Sequence, residues 1–423
     1  MILILCIAIL CCIDLFTFKE LKTLCNRISG KHSRKFIYWL FWSVNILYIL
    51  SVIYGYIERP RDMVLKVVSQ YYFMIAVGMA LYIPKFVFVL FHLIEDLVHL
   101  TARFSLKHMR SKDTKVSKAV DTMSRSEFIS KVGILTAALP FFSITYGIAK
   151  GRFDFKVRNI PVTLLDLPES FEGFRILQIS DIHIGSFIGE EHEITKAINL
   201  INSQNADIIF FTGDLVNVLA TEADHWVTFL GRMHAKYGKY SVLGNHDYGG
   251  YYHWSSEAAK TANLDHLKEL QHKMGFRLLL NESFPFYLDH QAIGIIGIEN
   301  WGMPPFPQKA DYLKAVKNVE NIPCKILLSH DPTYWDNFVA GKKDIDLTLS
   351  GHTHGMQFGV SVGSFQWSPI KYKYPHWAGL YRYHNQYLYV NRGLGYIGFS
   401  GRVGIPPEIT VITLHRDIRD KLN

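Results

Sequence analysis

Five short motifs collect residues that can bind metal ions and move protons. They are Asp181-Ile182-His183, Gly213-Asp214, Gly244-Asn245-His246-Asp247, Ser329-His330 and Gly351-His352-Thr353-His354. Carboxylates, imidazoles and an amide oxygen form a mixed oxygen and nitrogen donor set without thiolate, which suits Mn, Fe or Zn better than Ca. One such carboxylate can bridge two divalent ions roughly 3.5–4 Å apart, the spacing of two-metal hydrolases. Such ions supply a nucleophilic hydroxide at neutral pH and polarise a phosphoryl group. Gly213, Gly244 and Gly351 precede candidate ligands, where the backbone must turn sharply and approach the ions closely. Asp181 and His183 lie two residues apart, as do His352 and His354. In extended backbone such residues point the same way, so each pair is expected to face one site.

The elements that must position these groups can be read around them. Each motif follows a strand-like run: Phe174–Ser180, Ala206–Thr212, Tyr240–Leu243, Lys325–Ser329 and Ile345–Ser350. Loops at strand ends are where open α/β sheets place ligands. Further strand-like runs lie within 153–167 and at Ala292–Ile298, Gln386–Asn391 and Ile409–Leu414, with helical patterns at Glu193–Gln204 and Glu257–Met274. The alternation predicts a mixed α/β domain with packed sheets over residues 151–423.

The first 150 residues read differently. Charged residues are 19% of the chain and aromatics 14%, a balance that puts part of it in lipid. Apolar stretches at 2–16, 36–57, 67–94 and 132–148 predict an α-helical, four-span membrane domain over residues 1–150. The rival for the first is a signal peptide, but it has no basic leader and no small-residue cleavage site. The rival for the fourth, which is short, is a buried core helix. Pro84 and Lys85 interrupt the third, and Lys85 is expected to snorkel or to face a neighbouring helix.

Loop charge sets the orientation. Lys19, Lys22, Arg27, Lys31, Arg34 and Lys35 lie between the first two spans. Arg103, Lys107, Arg110, Lys112, Lys115, Lys118, Arg125 and Lys131 lie between the third and fourth. The second loop, with Glu58, Arg59, Arg61, Asp62 and Lys66, is nearly balanced. Positive loops stay inside, so the amino terminus and everything after the fourth span are expected outside. Most of the net charge of +8 lies in this first third, so it reads as topology and no nucleic-acid partner is expected. The five cysteines form no CxxC pair, and Cys324 reads as a small buried apolar residue.

The order D-x-H, G-D, G-N-H-D, H, G-H-x-H is similar to that of the calcineurin-like metallophosphoesterase superfamily, over about residues 170–415. The resemblance implies a four-layer αββα sandwich and two divalent metal ions. By position it makes Asp181, His183, Asp214 and His354 the ligands of the first ion. Asp214, Asn245, His330 and His352 become those of the second, with Asp214 bridging. It makes His246 the group that contacts the substrate phosphate and protonates the leaving oxygen, with Asp247 orienting its imidazole. The helical amino-terminal part resembles the membrane-associated bacterial branch, phosphodiesterases of the type described as transmembrane proteins with a metallophosphoesterase domain. That implies the bacterial inner membrane, with the catalytic domain on the periplasmic face. Asn391–Gly395 and Pro406–Ile409 resemble the family's closing segment. Two positions depart from it. Ser124–Phe128 holds a single arginine where some relatives carry a twin-arginine signal, and Met356 stands where many have a second glycine.

Outside the motifs, His253 is a candidate substrate contact, and Arg392, with Arg402 as its alternative, a candidate phosphate contact. Asn217 could cap a helix or orient a ligand, capping being the stronger reading. Aromatic residues cluster at 248–254, 301–306 and 365–377, with Lys371 and Lys373 among the last. They are ordinary loop packing, or else a lipophilic rim or interfacial belt at the bilayer. The expected function is hydrolysis of a phosphodiester or pyrophosphate bond in a phosphorylated, lipid-linked or membrane-proximal substrate. The alternatives are a UDP-2,3-diacylglucosamine-type pyrophosphatase of lipid A synthesis, a non-catalytic membrane sensor with a metal-binding domain, or a transport protein.

Overall fold

A computed structural model describes residues 1–25, 30–57, 65–108, 125–363 and 365–417. The chain divides into two compact units, Met1–Arg59 with Phe73–Tyr146, and Pro60–Tyr72 with Gly147–Asn423. Arg27, Glu58, Arg59, Arg61, Asp62, Arg110, Lys112, Lys115, Lys118 and Ser124 of the loops read above lie outside the described residues.

Four helices precede the sheets: α1 (Ile2–Cys25), α2 (Lys31–Ile57), α3 (Leu65–His108) and α4 (Arg125–Ala149). Among the described residues, three segments are long and apolar enough to cross a membrane: Lys31–Ile57, Ser69–Ile94 and Val132–Ala149. The first predicted span lies inside α1, which runs on to Cys25. α3 continues through Pro84. Lys85 faces neighbouring helices. Its Nζ lies 2.7 Å from Asp14 Oδ1 and donates to Asn45 Oδ1, while the Tyr82 hydroxyl donates to Asp14 Oδ2 at 3.0 Å. Asp14 is fully buried and Asn45 and Tyr82 nearly so. A charge among apolar helices persists only with such partners, because no water is there to solvate it.

The second unit is built on two six-stranded mixed sheets. Its strands in chain order are β1 (Lys156–Leu164), β2 (Arg175–Ile179), β3 (Ile208–Phe211), β4 (Lys239–Ser241), β5 (Phe276–Leu278), β6 (Glu282–Leu288) and β7 (Gln291–Gly297). There follow β8 (Lys325–Leu328), β9 (Leu347–Ser350), β10 (Val360–Val362), β11 (Phe365–Trp367), β12 (Gly379–Tyr383), β13 (Gln386–Val390) and β14 (Glu408–Arg416). The first sheet has the order β1-β14-β2-β3-β4-β5 and the second β12-β13-β9-β8-β7-β6, while β10 and β11 form a separate antiparallel ribbon. β2, β3, β4 and β5 run parallel, as do β7, β8, β9 and β13.

The central strands read as continuous apolar runs because both faces are covered. Ile176, Ile208, Phe210 and Val242 of the first sheet pack against Ile295, Ile326, Leu328, Leu347 and Leu349 of the second. On the outer face of the first sheet, Leu177, Ile179, Ile209 and Phe211 meet α5 (Glu191–Asn202) and α7 (Glu257–Lys273). α5 presents Ile194, Ala197, Ile198 and Ile201, the spacing of one helix face. The Ser256 side chain accepts from Ala259 N–H and starts α7. A short α6 (Val227–Gly231) lies between them in sequence. On the outer face of the second sheet, Leu327, Leu388 and Val390 meet α8 (Tyr312–Val316) and the π-helical turn Trp335–Val339. Cys324 is fully buried in the core between the sheets.

Candidate metal centre

The five motifs begin where β2, β3, β4, β8 and β9 end. Within each sheet these strands run parallel to one another, so their carboxyl ends lie on one edge and the motif loops converge there. Three donor groups form. Asp181, His183 and His354 make one, His183, Asp214 and His246 a second, and Asp214, His330 and His352 a third. His183 Nε2 lies 3.0 Å from His354 Nε2, and His354 Nε2 lies 3.3 Å from Asp181 Oδ1. Asp214 Oδ2 is 3.2 Å from His330 Nε2 and 3.6 Å from His183 Nε2. Asn245 Oδ1 is 2.8 Å from His352 Nδ1. Asp214 thus belongs to two of these groups.

The backbone here is unlike the extended chain expected from the spacing. Asp181, His183, Asp214, His352 and His354 all have φ between +46° and +70°. Left-handed backbone in non-glycine residues costs of order 1–3 kcal/mol each and persists where surrounding structure holds it. The tight coils also separate one pair that the alternation put together. Asp181 and His183 share a cluster, but His352 turns to Asn245 while His354 turns to Asp181 and His183. The glycines do what the sequence predicts. A Cβ on Gly244 would overlap the Asp214 carboxylate, and one on Gly351 would overlap Ser180 Oγ and Asp181 Oδ2.

The imidazoles are held from behind. The Nδ1 of His183, His330 and His246 lie 3.2, 2.7 and 2.6 Å from the carbonyls of Val216, Thr212 and Asn217. A nitrogen against a carbonyl must carry the proton, which leaves each Nε2 as the inward nitrogen that binds a metal ion or a second proton. His352 is held at Nε2 by the Tyr374 hydroxyl at 2.9 Å, with Asp331 Oδ2 at 3.4 Å. Asn245 Nδ2 donates to the Tyr251 hydroxyl at 2.8 Å, which turns Oδ1 toward His352, and the Tyr251 ring stacks on His246 at 4.4 Å.

Electrostatics follow from this packing. Burial opposes ionisation of Asp214, but the imidazoles of His330 and His246 outweigh it and hold the carboxyl well below its ordinary range. Burial alone would lower His330, yet the Asp214 charge pushes it up to about 10. Burial lowers His183, and the nearby imidazoles of His246 and His354 lower it further. The buried Asp214 carboxylate thus needs positive charge beside it, which a proton on His330 or a metal ion can supply. Buried His330 Nε2 and Asp331 Oδ2 have only ion-pair contacts, to Asp214 and His352, with no well-aligned hydrogen bond, which fits divalent cations.

Four expectations need correction. Asp247 does not orient His246; the Asn217 carbonyl does. The buried Asp247 carboxylate accepts the N–H groups of Asp214, Leu215 and Gly244 at 2.8–2.9 Å and so fixes the Asp214 turn. Asn217 is not a side-chain cap either, since its Oδ1 accepts no N–H while its Nδ2 donates to Ser186 Oγ. Arg392 is buried, and its guanidinium is committed to Glu408 and Gln366 rather than to a ligand. Its alternative, Arg402, is also buried and donates to the carbonyls of Gly395, Ile405, Arg392 and Gly393. His253 is exposed and is not among the residues lining the cavity over the centre.

That cavity, of about 230 Å³, is lined by Asp214, Asn245, His246, His352 and His354 together with Phe306, Ile370, Lys373, Tyr374 and Ile397. The Lys373 ammonium lies 5.4 Å from the ring centres of both Phe306 and Tyr374. Tyr251, Tyr374 and Lys373 stood in the aromatic clusters of the sequence, whereas Asp331 carried no separate signal beside His330.

Comparisons with known proteins agree with this geometry. Residues 1–152 match the family model described as "Probable Calcineurin-like phosphoesterase, transmembrane domain". Residues 174–356 match the one described as "Calcineurin-like phosphoesterase". The chain is 30% identical over 307 residues to the Bacillus subtilis (strain 168) metallophosphoesterase YkuE, covering 69% of this chain and 98% of that protein. It is 30% identical over 289 residues to the Danio rerio "Transmembrane protein with metallophosphoesterase domain", covering 66% of this chain and 61% of the fish protein's length. With the donor residues gathered at one sheet edge and a relative matched over almost its whole length, this chain belongs to the calcineurin-like metallophosphoesterases, with a transmembrane domain preceding the phosphoesterase domain.

Proposed function

We propose that this chain hydrolyses a phosphodiester or pyrophosphate bond in a lipid-linked or membrane-proximal substrate, using two divalent ions drawn from Mn, Fe and Zn. The convergence of inward Nε2 atoms on Asp214 carries the reading. Asp181, His183, Asp214 and His354 would hold one ion, and Asp214, Asn245, His330 and His352 the other. When bound, such ions supply positive charge against the phosphoryl oxygens and a water acidic enough to attack at neutral pH. The remaining work falls to the side chains. His246 keeps one proton on Nδ1 against the Asn217 carbonyl, so Nε2 is the nitrogen that would take up a second proton and pass it to the leaving oxygen. Lys373 takes the phosphate-contact role first read for Arg392. Phe306, Ile370 and Ile397 suit an apolar part of the substrate next to its phosphate.

The apolar lining also favours a diacylated nucleotide sugar, as in a UDP-2,3-diacylglucosamine-type pyrophosphatase. We place four spans in the bacterial inner membrane, α1 included, with the amino terminus and the catalytic unit on the periplasmic face. That orientation competes with a cytosolic nucleotide-lipid substrate. A carboxyl-terminal reporter active only in the cytoplasm would overturn the orientation.

The test is turnover of a chromogenic phosphodiester by the full chain with Mn²⁺. His246→Ala is expected to lower turnover by about 10²–10⁴-fold, the range for a lost proton donor. Asp214→Ala is expected to abolish it, with the fold intact by circular dichroism. Unchanged turnover in Asp214→Ala would remove the two-ion reading and leave a non-catalytic metal-binding role.

A further inference from the structure

The β10–β11 ribbon carries an apolar side that, among the described residues, is open at its tip while Trp367 at its base is half-buried. Val360 pairs with Trp367 and Val362 with Phe365, so these four side chains share one face, while Ser361 and Gln366 lie on the other. Gln366 is exposed, and its Oε1 accepts from Arg392 at 2.6 Å. The opposite face is open: Val362 is 70% exposed and Phe365 62%. Met356 and Val360 before them and Tyr372 after them are exposed as well. Lys371 and Lys373 are exposed beside Tyr372. A two-stranded ribbon is marginal alone, and large apolar residues gathered at its tip with flanking lysines are the composition of a membrane-interface contact.

The position of the ribbon's base supports the same occupant. The Phe358–Gly359 segment leading into β10 pairs with Val403, whose carbonyl accepts from Gly359 N–H at 2.9 Å. The neighbouring Arg402 N–H donates to the carbonyl of Gly147 at 3.1 Å. Gly147 lies in the last turn of α4, within the span-length segment Val132–Ala149. A Cβ on Gly147 would lie only 2.7 Å from the Arg402 carbonyl, so the close approach needs glycine there. The ribbon therefore grows from backbone that touches the end of an apolar, span-length helix.

We propose that the β10–β11 ribbon is a second membrane contact, inserting Val362 and Phe365 into the surface of an anionic bilayer while Lys371 and Lys373 meet its headgroups. Ile370 and Lys373 also line the metal cavity, so the contact brings the mouth of that cavity to the headgroup layer. This deepens the membrane-substrate reading above and rests on it for its purpose. The contact itself is independent of turnover.

The test is photocrosslinking of the full chain in nanodiscs containing phosphatidylglycerol. A benzophenone amino acid is placed at Val362 or Phe365, at Leu47 on the exposed side of α2 as the lipid control, and at exposed Tyr287 on β6 as the aqueous control. Lipid adducts are expected at 362, 365 and 47, in yields about tenfold above those at 287. Lys371→Glu is expected to lower the yield at 365 several-fold, and an undiminished yield would overturn the role of the lysines. Adducts at 47 alone, or adducts at 365 joining two copies of the chain, would overturn the bilayer as occupant. The readout involves no turnover, so an inactive protein with lipid adducts at 365 refutes the catalytic reading and leaves the contact standing.

Discussion

Two regions of this chain bury charge, and they balance it in opposite ways. Between the apolar helices, Asp14 is matched by Lys85, and Asn45 and Tyr82 take up the remaining capacity. At the sheet edge, Asp214 faces the Nε2 atoms of His183 and His330, whose far nitrogens lie against carbonyls. The first set is complete in itself. The second depends on added positive charge, a proton on His330 or a metal ion. A buried polar group thus signals function when its partners leave charge uncompensated, and structure when they do not.

The sharpest way to break the comparison is at Asp214. Asp214→Asn keeps the shape and removes the shared charge. Turnover should fall by more than about a thousandfold, beyond what one lost electrostatic contact explains, and metal content should drop from roughly two ions per chain. Analysis by plasma mass spectrometry of the purified protein checks this without relying on activity.

The helical cluster should respond by a different rule. Lys85→Met or Asp14→Leu alone leaves an unpaired buried charge and should cost about 3–5 kcal/mol, seen as a lower melting temperature in detergent. The double variant should recover most of that, because an apolar pair of similar volume can replace a buried ion pair at little cost. Turnover of a soluble diester per folded molecule should be unchanged in all three. A double variant as unstable as either single one would show that the helical cluster is not self-contained.

A finer probe asks whether the groups behind the donors matter. Tyr251→Phe frees the Asn245 amide, and Asp331→Asn weakens the hold on His352. Each should lower metal affinity by about 10–100-fold, the usual effect of losing such a support. Titration with Mn²⁺ followed by thermal shift measures it.

The smallest expected effect lies at Glu222. Its carboxylate accepts the N–H groups of Asn217, Val218 and Leu219 and so holds the loop whose Asn217 carbonyl orients His246. Burial pushes this carboxyl up to about 7 from 4.5. The folded chain therefore binds the proton more tightly than the unfolded one, and stability falls as pH rises through that window. Glu222→Gln should remove this slope. It should also cost about 1–3 kcal/mol, because one acceptor becomes a donor facing the Asn217 N–H. Denaturant titrations between pH 4.5 and pH 7.5 read both effects.

The sequence carried the central strands and the residues that gather at the sheet edge because each is a local signal: an apolar run, then a glycine or a strand end, then a carboxylate or imidazole. What it hid is relational. That Lys85 meets Asp14 depends on how helices rotate against each other, which hydropathy does not record. His246 is oriented by a main-chain carbonyl, and a carbonyl has no letter in the sequence. Asp247 looked like the partner of its neighbour, but its carboxylate turns to the Asp214 loop instead. Arg392 looked available for phosphate until Glu408, sixteen residues away, claimed it. Spacing by two misled at 352 and 354, because the backbone there is left-handed and not extended.

The strand order of the first sheet has a consequence for synthesis. β14 lies between β1 and β2, antiparallel to β2 and parallel to β1. Residues 181–354, which carry all the donor groups, leave the ribosome before the strand that joins these two. Until β14 arrives, β1 and β2 present unpaired edges, and the scaffold beneath the metal centre is open. A ribosome that stalls before Glu408 would therefore hold a chain with its ligands made and its sheet unclosed, a state in which strand edges invite chaperones or neighbouring chains.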